Sequence, residues 1–169
     1  MRIAKKPARA RTSPNPSDRG GTTIEVAVQV ATRSRPLPTS AEFRKWVRAA
    51  CRRKARLTVR LVDSAEGARL NREYRGRDYA TNVLTFVMNG EAPYEGDLAL
   101  CAPVVKREAR EQAKDLKAHY AHLTVHGVLH LQGYAHDGED EARQMERLEA
   151  RILKKLGYEN PYADGRHAQ

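Results

Sequence analysis

Apolar residues change their period several times along this chain, and the order of those changes restricts the fold more than any single residue does. Ile24, Val26, Val28 and Val30 recur at period two within TIEVAVQV, the spacing of a strand with one face against a core. The Pro36-Leu-Pro38 stretch then breaks the chain. Behind it, Thr39 or Ser40 can cap a helix that carries Phe43, Trp46, Val47 and Ala50 on one face. Leu57, Val59 and Leu61 return to period two as a second strand, and SAEGARLNREYRG follows as a short helix opened by Asp63 or Ser64. NVLTFVM and GDLALC predict two more strands, separated by a loop containing Asn89, Gly90, Pro93 and Gly96. Pro103 suits the first turn of a helix through about Lys114. Another helix covers about Leu116 to Gln132 and stops at Gly133, a residue suited to a left-handed cap. The last runs from about Gly138 to Leu156, with Met145, Leu148, Ile152 and Leu156 on one stripe. This order predicts a single α+β domain, a small mixed sheet of about four strands covered by helices.

A chain of 169 residues with 40% apolar content supports one core, expected over residues 23–162. Residues 1–22 are rich in Lys, Arg, Pro, Ser and Gly and predict a disordered basic tail; 163–169 predict a polar one. An organelle transit peptide competes for the first segment, but Pro7, Pro14 and Pro16 break any amphipathic helix there. The absence of a membrane-length apolar run or a signal sequence predicts a cytoplasmic protein with no membrane partner. Cys51 and Cys101, far apart in apolar segments, are expected to be small core residues. The net charge of +10 is concentrated: residues 33–60 hold ten basic side chains against Glu42 alone. A polyanion is the natural partner of such a surface, RNA above all, with Arg44 and Arg48 on the first helix as candidate contacts. A solvated helix face is the rival explanation.

HGVLHLQGYAH, from His126 to His136, carries the chemistry. Residues four apart on a helix share a face, so His126 and His130 can offer two ring nitrogens to one ion. Gly133 allows the chain to reverse and His136 to return as a third ligand, which places the motif on a helix and the turn after it. Three protein ligands leave a coordination position open, as in catalytic rather than structural zinc sites. The spacing is that of metzincin proteases, yet Gly127 stands where their glutamate base would be, so peptide hydrolysis is disfavoured and phosphodiester cleavage fits better. His119 and His122 are expected to be nearby polar groups or uninvolved, and His167 lies in the polar tail.

With these residues in view, the sequence resembles the YbeY family of metal-dependent endoribonucleases, implicated in ribosomal RNA maturation and ribosome quality control. The resemblance rests on HGVLHLQGYAH, LNREYRGRDYATNVLTF, EGDLALC and EARQMERLEARILKKLGYENPY, and spans about Ile24 to Tyr162. It implies one zinc ion held by His126, His130 and His136, with His126 also counted as catalytic. Arg75 matches the family arginine associated with activity, a guanidinium able to fork onto a phosphate, and the resemblance implies that Asn82 lines the cleft. It implies RNA as substrate, a ribosomal RNA precursor cut in single-stranded regions, with the ribosome or its proteins as further partners. One position departs from the pattern: Ala135 replaces the Asp usual before the third histidine, and Asp137 is adjacent. Two other readings compete: a zinc hydrolase of the metalloprotease type with its base at Asp137 or Glu139, and a non-catalytic ribosome assembly factor with a structural metal.

Overall fold

The computed structural model describes residues 4–5, 23–134 and 137–163. The remainder of the 1–22 tail, Ala135, His136 and the final residues from 164 onward, His167 included, lie outside the described residues. In chain order the elements are β1 (Ala4–Lys5), β2 (Ile24–Ala31), α1 (Ser40–Ala50), β3 (Ala55–Val62), α2 (Ser64–Arg75), β4 (Val83–Asn89), β5 (Tyr94–Cys101), α3 (Ala102–Glu111), α4 (Leu116–Leu131) and α5 (Glu139–Lys155).

Local chemistry explains where the helices begin. Thr39 caps α1 through its side chain while Glu42 reaches back to the Thr39 N–H at 2.8 Å, a reciprocal capping box. Asp115 caps α4 by accepting from the Ala118 N–H at 3.0 Å, and Pro103 occupies the first turn of α3, where its missing N–H costs nothing.

The strands form one sheet in the order β1-β4-β5-β3-β2. β2, β3 and β5 run parallel, whereas β4 is antiparallel to β5 and parallel to β1. The four long strands are those expected from the apolar alternation, and two-residue β1 extends the β4 edge. Alternation sorts the side chains between two faces. Leu57, Val59, Leu61, Val83, Leu98 and Leu100 pack with Phe43, Trp46, Tyr120, Val128, Met145 and Leu153 into the main core under α1, α4 and α5. The opposite face is thinner: Leu84, Phe86 and Ala99 meet Leu70 and Tyr74 of α2. Cys51 and Cys101 are both buried free thiols, as their apolar surroundings imply.

The central helix α4 buries eleven of its sixteen residues, so it lacks the polar stripe of a surface helix. It lies close to the β4–β5 pair because two glycines permit it. A Cβ on Gly127 would come within 1.9 Å of Leu98 Cδ2, and one on Gly96 within 2.5 Å of the Phe86 carbonyl oxygen. Gly127 is therefore a contact point between helix and sheet; a Cβ there requires the Leu98 side chain to shift.

Candidate metal centre

Helical spacing aligns His122, His126 and His130 along the edge of α4 that faces α5. The Nε2 atoms of His126 and His130 are 3.0 Å apart. Two nitrogens bound to one zinc at about 2.1 Å in tetrahedral geometry are separated by roughly 3.3 Å, so this spacing suits rings sharing one cation. The Nδ1 atom of His126 is directed the other way, donating to Glu149 Oε1. That bond sets the tautomer: with the proton on Nδ1, the Nε2 lone pair faces His130.

Glu149 is fully buried on α5 and receives more than one donor. His122 Nε2 donates to Oε2 at 3.1 Å, and the Tyr162 hydroxyl donates to the same oxygen. Burial alone would push this carboxyl up, but hydrogen bonds and charge from His122 and His126 outweigh it and hold the group down at about 2. Glu149 thus stays ionised inside the protein. Burial pushes His122 down, toward the neutral imidazole, and pushes the Tyr162 hydroxyl well up, reinforced by the Glu149 charge. His122, His126 and Glu149 also lie close enough, within 4.8 Å, to hold an ion themselves. The two groupings share His126. Because both Glu149 oxygens already accept hydrogen bonds, the arrangement matches a carboxylate that orients a ligating histidine from behind.

A second carboxylate–histidine pair lies further up α4. His119 Nε2 donates to Glu108 Oε1 at 3.1 Å, and Asn82 Nδ2 donates to the same carboxylate at 3.0 Å. Burial raises the Glu108 carboxyl, and these two donors bring it to a net lowered value. Asn82 also accepts from the Val83 N–H at 2.7 Å, so its amide is anchored at the start of β4.

The remaining sequence candidates lie elsewhere. Arg75 ends α2, next to Tyr74, whose ring packs 4.9 Å from that of Phe86. It therefore lies over the face of the sheet opposite α4, and among the described residues its guanidinium has no carboxylate partner. Arg44 donates from Nε to the Val26 carbonyl at 3.3 Å, covering part of the exposed β2 edge. Arg48 is exposed in the last turn of α1. Gly133 has φ of +95°, the left-handed turn that ends α4 and redirects the chain. The third predicted ligand, His136, and Ala135 are outside the described residues. Glu139, one candidate base for a protease, is exposed and paired with Arg143 at 3.2 Å.

A family model for endoribonuclease YbeY matches residues 29–157. The chain belongs to the YbeY family. Relatives named endoribonuclease YbeY include one from Aromatoleum aromaticum, 58% identical over 147 residues that cover 87% of this chain and 95% of that protein. Another, from Nitrosospira multiformis, is 54% identical over 83% of this chain and 82% of its own length. The solution structure of TM1509 from Thermotoga maritima has the same fold, with a TM-score of 0.51 over 87% of this chain and 99% of that one at 21% identity. Within this YbeY chain, two site residues escape a reading of the motif alone, Glu149 and Tyr162. Glu149 left a trace: it falls four residues after Met145 and three before Ile152, a lone carboxylate inside an apolar helical stripe. Tyr162 left none, being joined to His122 only by the way the chain folds back after α5.

Proposed function

We propose that this chain is a zinc-dependent, single-strand-specific endoribonuclease that acts on ribosomal RNA precursors in the cytoplasm, in rRNA maturation and ribosome quality control. Metal ligation by His126, His130 and His136 is part of that proposal. Its main support is the 3.0 Å approach of the His126 and His130 Nε2 atoms with Glu149 behind His126. The names of the relatives supply the substrate class.

A zinc ion held by His126, His130 and His136 would supply Lewis acidity, able to polarise a phosphodiester and acidify water. The chain's own groups do the rest. Glu149 keeps His126 in the tautomer that offers Nε2, and Gly127 brings α4 onto the sheet so that the histidine edge is held rigidly. In this proposal Arg75 contributes positive charge to the RNA, supported by its lack of a carboxylate partner among the described residues; because α2 packs on the other face of the sheet from the histidines, the strand has to pass around the sheet edge to meet both. Arg48 extends the basic surface along the RNA. Arg44 and Asn82 already donate to Val26 and Glu108, so they contact RNA with their remaining polar groups. The ribosome and its proteins are the expected partners.

The test is incubation of purified protein with labelled single-stranded and duplex RNA, beside His126→Ala and Arg75→Ala. Cleavage of the single strand alone is expected, with both variants inactive; undiminished cutting by the variants rejects the assignment. Elemental analysis should find about one equivalent of zinc in the wild type and none in His130→Ala.

A further inference from the structure

Around the C-terminal ends of α1 and α4, against the middle of α5, lies a cavity of about 480 Å³. Its size is that of a small-ligand site. Arg52 and Arg53 line it from the loop after α1, Arg151 from α5, Tyr94 from the start of β5, and Gln132 and Tyr134 from the end of α4. Leu129, also in the wall, precedes His130 by one position, about 100° around the helix. The cavity and the histidine edge therefore occupy adjacent sides of the same helix end.

We propose that this cavity binds a nucleotide of the RNA strand flanking the one at the metal centre, its phosphate on the arginines and its base against a tyrosine. The inference rests on the RNA reading above. Three observations carry it. Many arginines of this chain are tied to acids, such as Arg60 to Glu66 at 2.8 Å, Arg56 to Glu25 at 3.1 Å and Arg72 to Asp78 at 3.1 Å. Arg52, Arg53 and Arg151 have no such partner among the described residues, although each guanidinium carries five N–H donors suited to phosphate oxygens. Next, the helix ends do not account for them. Two C-terminal dipoles do favour cations here, but the Ala50 carbonyl accepts from Gln132 Nε2 at 2.7 Å, and none of the three guanidinium groups donates to a carbonyl among the described residues. Finally, Tyr134 is 39% exposed despite being aromatic, a surface on which a base can stack. A concave site that pairs arginines with aromatic faces fits a nucleotide better than an acidic peptide, which offers carboxylates but no planar ring.

The experiment uses metal-loaded protein and a fluorescently labelled single-stranded oligoribonucleotide. Binding is read by anisotropy immediately after mixing, across a salt series, and cleavage is read later in the same samples. Arg52→Ala/Arg53→Ala/Arg151→Ala is expected to bind about tenfold more weakly, with a shallower dependence of log affinity on log salt, by roughly 0.7 for each phosphate no longer neutralised. Tyr134→Leu should weaken binding at unchanged salt slope, because stacking releases no counterions. The triple lysine variant should recover most of the affinity, and melting temperature and metal content should stay at wild-type values throughout. Equal affinity and slope in the triple alanine variant overturn the proposal, as does displacement of RNA by polyglutamate as readily as by unlabelled RNA. Wild-type binding without cleavage sinks the nuclease reading but leaves the pocket standing; no RNA binding by the wild type overturns both.

Discussion

Gly127 occupies the position where a related zinc motif carries its catalytic base, and packing explains the occupant without reference to chemistry. A single added methyl would meet Leu98 Cδ2 at 1.9 Å. Gly127→Ala is expected to cost about 1–3 kcal/mol in urea unfolding, and less than the sum of the single effects when combined with Leu98→Ala. In the proposed site Glu149 would act on the metal through its hydrogen bond to His126. Replacing it with glutamine keeps the shape but removes the charge, so zinc affinity should fall about 10–100-fold in chelator competition while about one equivalent still binds at saturating zinc. Failure of Glu149→Gln to bind an equivalent at any zinc concentration would make Glu149 a ligand, as the alternative His122, His126 and Glu149 grouping requires.

Among the elements, α1 and α4 are tied together at their N-terminal ends. Glu42 of the α1 capping box also accepts from Lys117 of α4 at 2.8 Å. The Lys117 bond, then the Thr39 backbone bond, hold the Glu42 carboxyl below its ordinary value, and the Lys117 ammonium is correspondingly raised. A depressed carboxyl contributes stability that is present above its unfolded value near 4.5 and lost as pH falls through the folded value. The raised Lys117 works in the opposite sense, its contribution being lost only at strongly alkaline pH. Urea midpoints of wild type and Glu42→Gln should therefore differ at pH 6–7 and converge toward pH 3, with the wild type the more stable at neutral pH. A constant difference across that range would show that the pairing contributes nothing. The helix periods were legible because α1 and α5 each have one apolar face. The last turn of α4 was legible from Gly133 for a different reason, since a glycine after an apolar run can supply the left-handed cap.

For the whole molecule, the proposed metal centre draws on α4, α5 and the segment after α5 through His122, His126, Glu149 and Tyr162, so on that proposal metal removal should be felt globally. With zinc at about a hundredfold above its dissociation constant, chelation is expected to remove about 2.7 kcal/mol, a drop of roughly 5–10 °C in melting temperature, together with RNA cleavage. Readdition of zinc should restore both. No helix among the described residues is long and apolar enough to cross a membrane, in keeping with the absence of such a run in the sequence. The period-two runs at Ile24–Val30 and Leu57–Leu61 determined their strands unaided, because alternation with one buried face is a local property of the chain. So did the four-residue spacing of His126 and His130, which any helix places on one side. The tertiary structure alone decided that β5 lies between β3 and β4, that Arg75 stands over the face of the sheet opposite the histidines, and that Glu149 and Tyr162 meet His122. Those relations join residues tens of positions apart, and their partners are selected by packing and by the need to satisfy buried charge, neither of which leaves a period in the sequence.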